Sequence, residues 1–78
     1  MFYDDCLEIC RRYIKEDPKR FLDRQIEYHL NKAPQELVIA DKAMLANWLK
    51  ISSALLIGRD KANEFMNRII SIKEKLSK

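Results

Sequence analysis

Five polar side chains crowd one short stretch of this sequence: Arg59, Lys61, Asn63, Asn67 and Arg68. Arginine and asparagine are the side chains that pair bidentately with guanine and adenine edges, and lysine suits phosphate oxygens. Chemistry of that kind is recognition of double-stranded DNA, and it needs a helix to carry the residues into the major groove. The run from Ile51 to Arg68 supplies the parts. Ile51 and Leu55 would face inward from a short helix at about 50–55, with small Ser52 at the closest approach. Ile57 would plug a turn in which Gly58 provides a backbone conformation that other residues resist. Ala62 would let a second helix approach the first, and Phe65 and Met66 would seal the pair. Together these features predict a helix-turn-helix. A bend between Trp48 and Ser53 would separate its first helix; an unbroken helix from 34 to 57 would leave none.

The run Ile57-Gly58-Arg59-Asp60-Lys61-Ala62, followed by Phe65, resembles the turn and recognition helix of small excisionase-like helix-turn-helix regulators from phages and mobile elements. The likeness spans residues 51–68, roughly a quarter of the chain. It implies a DNA-binding role for the outward side chains of the second helix. Two features differ from that pattern. Leu56 stands where those proteins carry an earlier turn glycine, and Met66–Lys78 reads as helix rather than as a hairpin wing.

A second constellation is apolar. Leu37, Ala40, Met44, Trp48, Ile51 and Leu55 form a stripe close to seven residues per pair. Such a stripe fills the core of a small bundle, or it anchors a partner. On the second reading Met44, Trp48, Ile51 and Leu55 form the interface for a protein partner or a homodimer.

Other chemistry has little footing. Cys6 and Cys10 lie four apart on one helical face, but a stable zinc site takes four ligands and His29 is the sole histidine. Core packing of reduced thiols is the expectation for both. His29 falls near a helix end, where it can meet the last carbonyls. Asp4, Asp5 and Glu8 make only an open surface cluster, and one glycine cannot build a phosphate loop. The serines lack a partner base and an oxyanion turn. No enzyme activity, metal or cofactor is expected.

Helices must position these groups. Phe2, Tyr3, Cys6, Leu7, Cys10, Tyr13 and Ile14 recur at spacings of three and four, which predicts an amphipathic first helix. Asp17-Pro18 closes it and opens a second, with Phe21, Leu22, Ile26, His29 and Leu30 inside. Asn31-Lys32-Ala33-Pro34 repeats that stop and start. The third helix carries the apolar stripe. The last buries Ala62, Phe65, Met66, Ile69, Ile70 and Leu76. The expected fold is therefore all-α, a small four-helix bundle with helices at about 3–16, 18–31, 34–57 and 60–76, in one domain spanning 1–78.

Charge is unevenly spread. The chain of 78 residues carries a formal +3, with −2 in residues 1–17, +2 in 18–33, zero in 34–57 and +3 in 58–78. A basic C-terminal third suits a polyanion, or two subunits packed head to tail. The longest apolar run, Ala54-Leu55-Leu56-Ile57, is far short of the ~20 residues that span a bilayer, and Asp4 and Asp5 sit where an export signal would be basic. A cytoplasmic location without membrane contact is expected. The function expected first is a small non-enzymatic DNA-binding regulator or accessory factor. The alternative is a helical protein-interaction module of adaptor, inhibitor or immunity type, with or without self-association.

Overall fold

The computed structural model describes residues 2–73, and these form an all-α bundle with no strand among them. The four helices are α1 (Phe2–Tyr13), α2 (Pro18–Gln25), α3 (Lys42–Ile57) and α4 (Arg59–Ile70). The expected order and number of helices hold; their boundaries move most at the ends of α1, α2 and α4 and at the start of α3. None of the helices is long and apolar enough to cross a membrane.

α1 presents Cys6, Leu7 and Cys10 to the core, and Ile14 follows them just past its end. Asp17 then takes a left-handed conformation (φ 48°), and its carboxylate accepts the backbone N–H of Arg20 at 3.4 Å. Pro18 follows at the first helical position, where its missing N–H is no loss. Inside α2, Leu22 is fully buried. The helix then widens into a π-turn, Ile26–Leu30, that stops at Asn31 in the left-handed region (φ 59°).

Residues 34–41 were expected to begin the third helix, and they do not. Two single 3-10 turns, Pro34–Glu36 and Ile39–Asp41, stand there, with Leu37 and Val38 extended between them. Each turn ends in a carboxylate that reaches back three residues. Glu36 accepts the Ala33 N–H at 2.9 Å, and Asp41 accepts the Val38 N–H at 3.1 Å. The acidic first-turn signal is real but caps one turn at a time. Leu37 drops into the core from this segment, whereas Ala40 is exposed.

α3 runs without a break from Lys42 to Ile57, so no separate helix exists at 50–55. The two serines that could have interrupted it find other partners. Ser52 Oγ donates to Gln25 of α2 at 2.6 Å, and Ser53 Oγ bonds back to the Lys50 carbonyl at 3.4 Å. Gly58 alone links α3 to α4, at φ 89° and ψ 161°, a region essentially reserved for glycine. A Cβ there would meet nothing within 4 Å, so the constraint is purely one of backbone conformation.

A one-residue link holds α3 and α4 close together, and their contact is the most extensive in the bundle. Ala46 and Ser53 of α3 and Ala62 of α4 are all buried, and their small size permits that approach. Larger Leu45, Leu49, Phe65 and Ile69 fill the centre with Leu22 and Ile26 of the α2 arm. α4 ends at Ile70 rather than near 76, in the β-branched run Ile69-Ile70-Ser71-Ile72. Lys42 then ties the chain back to the start of α3 by donating to the Ile72 carbonyl at 2.7 Å. Leu76 lies outside the described residues, and Ile70, expected inside, is 45% exposed.

Cys6 and Cys10 are free and fully buried. Burial pushes both thiols up to about 12; for Cys6 the carboxylate of Asp5 and then Cys10 add to it. The native protein should therefore leave both thiols unmodified by an aromatic disulfide reagent near neutral pH, and denaturant should release both. Rapid modification of the folded chain would contradict this packing.

Asp41 also accepts from Lys32 Nζ at 2.9 Å. Burial pushes its carboxyl up, but the Lys32 hydrogen bond, the Val38 N–H and the Lys32 charge together bring it below 3.8. A depressed folded value stabilises the protein above the ordinary carboxyl range, and that contribution is lost as pH falls through the lowered value. Asp41→Ala is expected to cost about 1 kcal/mol near neutral pH. The difference from the parent should shrink in strong acid, as read from denaturant midpoints at the two pH values.

Candidate functional site

α3 has two apolar faces. Leu45, Ala46, Leu49 and Ser53 fill the interior, while Met44, Ile51 and Leu55 are 57%, 50% and 94% exposed. The stripe expected to face inward is therefore mostly the outer face of the helix. Both sets recur at helical spacing, so periodicity alone could not fix which one turns inward. The inward set includes the small residues Ala46 and Ser53, on the helix whose contact with α4 is the most extensive in the bundle.

Trp48 borders the outer stripe on the side of the α2 arm. Its indole stacks on His29 with ring centroids 3.9 Å apart and planes 6° from parallel. The π-turn supplies that histidine: one wide turn carries His29 to Trp48, while Tyr28 stays outside at 69% exposure. The Arg24 guanidinium lies 5.6 Å from the Tyr28 ring centroid. Leu56, at the end of α3, is a further 64% exposed.

Charge is missing from the outer face. Lys42 and Lys50 are the only charged residues of α3, both are half-buried, and Lys42 is bound to Ile72. At about 100° per residue, Ala43, Asn47 and Ala54 flank the stripe on the side away from Trp48. The surface is thus a neutral apolar ridge about 18 Å long, from Met44 to Leu55.

The five polar side chains expected to read DNA are placed on α4, but on two separate flanks. Arg59, Lys61, Asn67 and Arg68 are exposed, and Asn63 is half-buried. Arg59, Asn63 and Asn67 follow one another every fourth residue along one flank. Lys61 and Arg68 lie about half a turn away, with acidic Asp60 and Glu64 between the two sets. The fold does not bring all five onto a single reading face.

Arg68 is also engaged. Its Nε donates to the Tyr13 hydroxyl at 2.7 Å, and that hydroxyl donates to Glu64 at 2.5 Å. The Tyr13 ring stacks on Phe65 with centroids 5.0 Å apart, so α1 is fastened to α4 at this point. Burial, followed by the bond to Glu64, raises the Tyr13 phenol; the same bond is the main cause lowering the Glu64 carboxyl.

The groove beside this contact gathers Arg12 of α1 and Lys15 just past its end with Lys61, Arg68 and the carboxylate of Glu64. Sequence reading missed Arg12 and Lys15, because their proximity to α4 is a product of tertiary packing. It also missed Tyr28 and Leu56. The signal for Leu56 was present, in a helix apolar on every side. A separate groove, lined by Phe2, Tyr3, Leu37, Val38 and Ile39, carries Asp4, Asp23 and Glu27 on its walls. Tyr3 donates to Asp23 there at 2.5 Å, and Lys19 closes on the same carboxylate at 2.8 Å.

The likeness of residues 51–68 to excisionase-like regulators rests on that local run alone. The chain matches no protein-family model, no curated protein and no solved structure.

Proposed function

We propose that this chain is a helical protein-interaction module whose docking surface is the outer face of α3. The observation that carries the reading is the exposure of Met44, Ile51 and Leu55 along one uncharged ridge of a helix whose other face is already buried. A helix that is apolar all round belongs in an interior, and here only half of it has one. Interface centres are depleted in charge and rich in aromatic residues and methionine, as this ridge is with Met44 and Trp48. The half-buried Trp48 is an anchor held in place beforehand by His29, so little side-chain freedom is left to lose on binding.

Ile51→Asp combined with Leu55→Asp tests this. Both side chains are half or more exposed, so the melting temperature should be nearly unchanged. Association through the ridge should weaken at least 100-fold, because two carboxylates would be desolvated in the contact. An affinity-tagged parent and the double variant, compared for what each binds, give the readout. Identical binding by the two proteins would exclude the ridge as the docking surface.

A second reading, binding of duplex DNA, is favoured by the four cations Arg12, Lys15, Lys61 and Arg68 around one groove, against the single carboxylate of Glu64. Such a cluster suits phosphate oxygens rather than base edges. On this reading affinity falls steeply with salt, and Arg12→Ala, Lys15→Ala and Lys61→Ala together reduce the logarithmic salt slope by about 0.9 for each phosphate no longer neutralised. A duplex titration that shows no difference between the triple variant and the parent would remove it.

A further inference from the structure

We infer that the occupant of the α3 ridge is a second copy of this chain, packed antiparallel about a two-fold axis. The inference rests on the docking reading above and adds the identity of the partner. Its basis is the spacing of the ridge. Met44, Trp48, Ile51 and Leu55 follow at steps of four, three and four, a pattern that is the same read from either end. It is also the spacing by which two helices interlock along a seam. An antiparallel copy centred between residues 49 and 50 sets Met44 opposite Leu55 of the second copy, and Trp48 opposite Ile51. Every large side chain then meets one of different shape. A parallel copy would instead set Trp48 against Trp48, with both indoles already backed by His29 and unable to swing aside.

Charge supports the same partner. Each copy carries a net +3, so two copies repel wherever like-charged surfaces meet. The ridge and its flanking Ala43, Asn47 and Ala54 are uncharged, with half-buried Lys50 at the far edge of that flank, which leaves the ridge as a face by which like can approach like. Antiparallel pairing also opposes the two helix dipoles favourably. The small flanking residues allow the two backbones close approach. A two-fold contact of this kind uses the same patch on both subunits and closes on itself, so it gives a dimer and not a filament. A single ridge about 18 Å long offers only a small contact. The dimer should accordingly be reversible, with dissociation on the order of micromolar.

Sedimentation equilibrium of the full chain over a concentration series tests the partner, and cysteine pairing tests the orientation. The parent should move from the mass of one chain to that of two as concentration rises through the micromolar range. Ile51→Asp with Leu55→Asp should remain at one chain throughout, as should the milder Leu55→Ser at concentrations where the parent is mostly dimeric. Circular dichroism melts establish that the variants fold. A Met44→Cys chain mixed with a Leu55→Cys chain should oxidise mainly to the mixed disulfide, since the native cysteines are buried. Predominant pairing of Met44→Cys with itself would overturn the antiparallel arrangement. A parent that stays at one chain, while the aspartate variant still loses a bound protein, would overturn the second copy as occupant but keep the ridge as a docking surface. A two-chain mass unaffected by the aspartate substitutions, with the same proteins bound by both, would overturn both.

Discussion

Gly58 is the whole connection between α3 and α4, and a link that short leaves the two helices no freedom to stand apart. The backbone there adopts φ 89° and ψ 161°, where any side chain is strained although there is room for one. Close approach favours small residues, and Ala46 and Ser53 of α3 and Ala62 of α4 are all buried. Once Ala46 and Ser53 face inward, the rest of α3 is fixed in rotation about its axis. Leu45 and Leu49 enter the core beside them, and Met44, Ile51 and Leu55 turn outward.

The remaining elements complete the interior around that pair. α1 is fastened to α4 by the Tyr13 stack on Phe65 and by the chain of bonds from Arg68 through Tyr13 to Glu64. The α2 arm reaches α3 through Gln25 with Ser52 and through His29 with Trp48. α4 and the α2 arm thereby cover one side of α3, and among the described residues no helix covers the other. In so small a domain the buried fraction of the surface is limited by size, and an uncovered apolar helix face is where a partner adds most.

Much of the fold was legible in the sequence. Asp17-Pro18 is both a stop and a start because proline constrains its predecessor and aspartate can cap. Residues such as Leu22, Ile26, Phe65 and Ile69 occupy the interior that their spacing predicts. Two things were hidden. Pro34 with Glu36 reads as the start of a long helix, yet Glu36 and Asp41 each close a single turn, a local choice between two capping registers that composition does not decide. The rotation of α3 was hidden as well, since a helix with apolar residues on every side gives no phase. Met44, Trp48, Ile51 and Leu55 could be grouped in advance by their common spacing, but that spacing does not say whether they lie inside or outside. The polar residues of α4 were identified by type, while their division into two flanks follows from three-dimensional phase and from the hold that Tyr13 has on Arg68.

The stacked pair of His29 and Trp48 gives the protein an internal reporter. Trp48 is the sole tryptophan, and it sits half-buried at the border of the exposed ridge with one face against imidazole. Its ultraviolet emission therefore comes from a single site, and the wavelength of that light follows how much water reaches the indole. Any molecule that covers the ridge must change the colour of the fluorescence, so contact at this surface can be watched in the unlabelled protein.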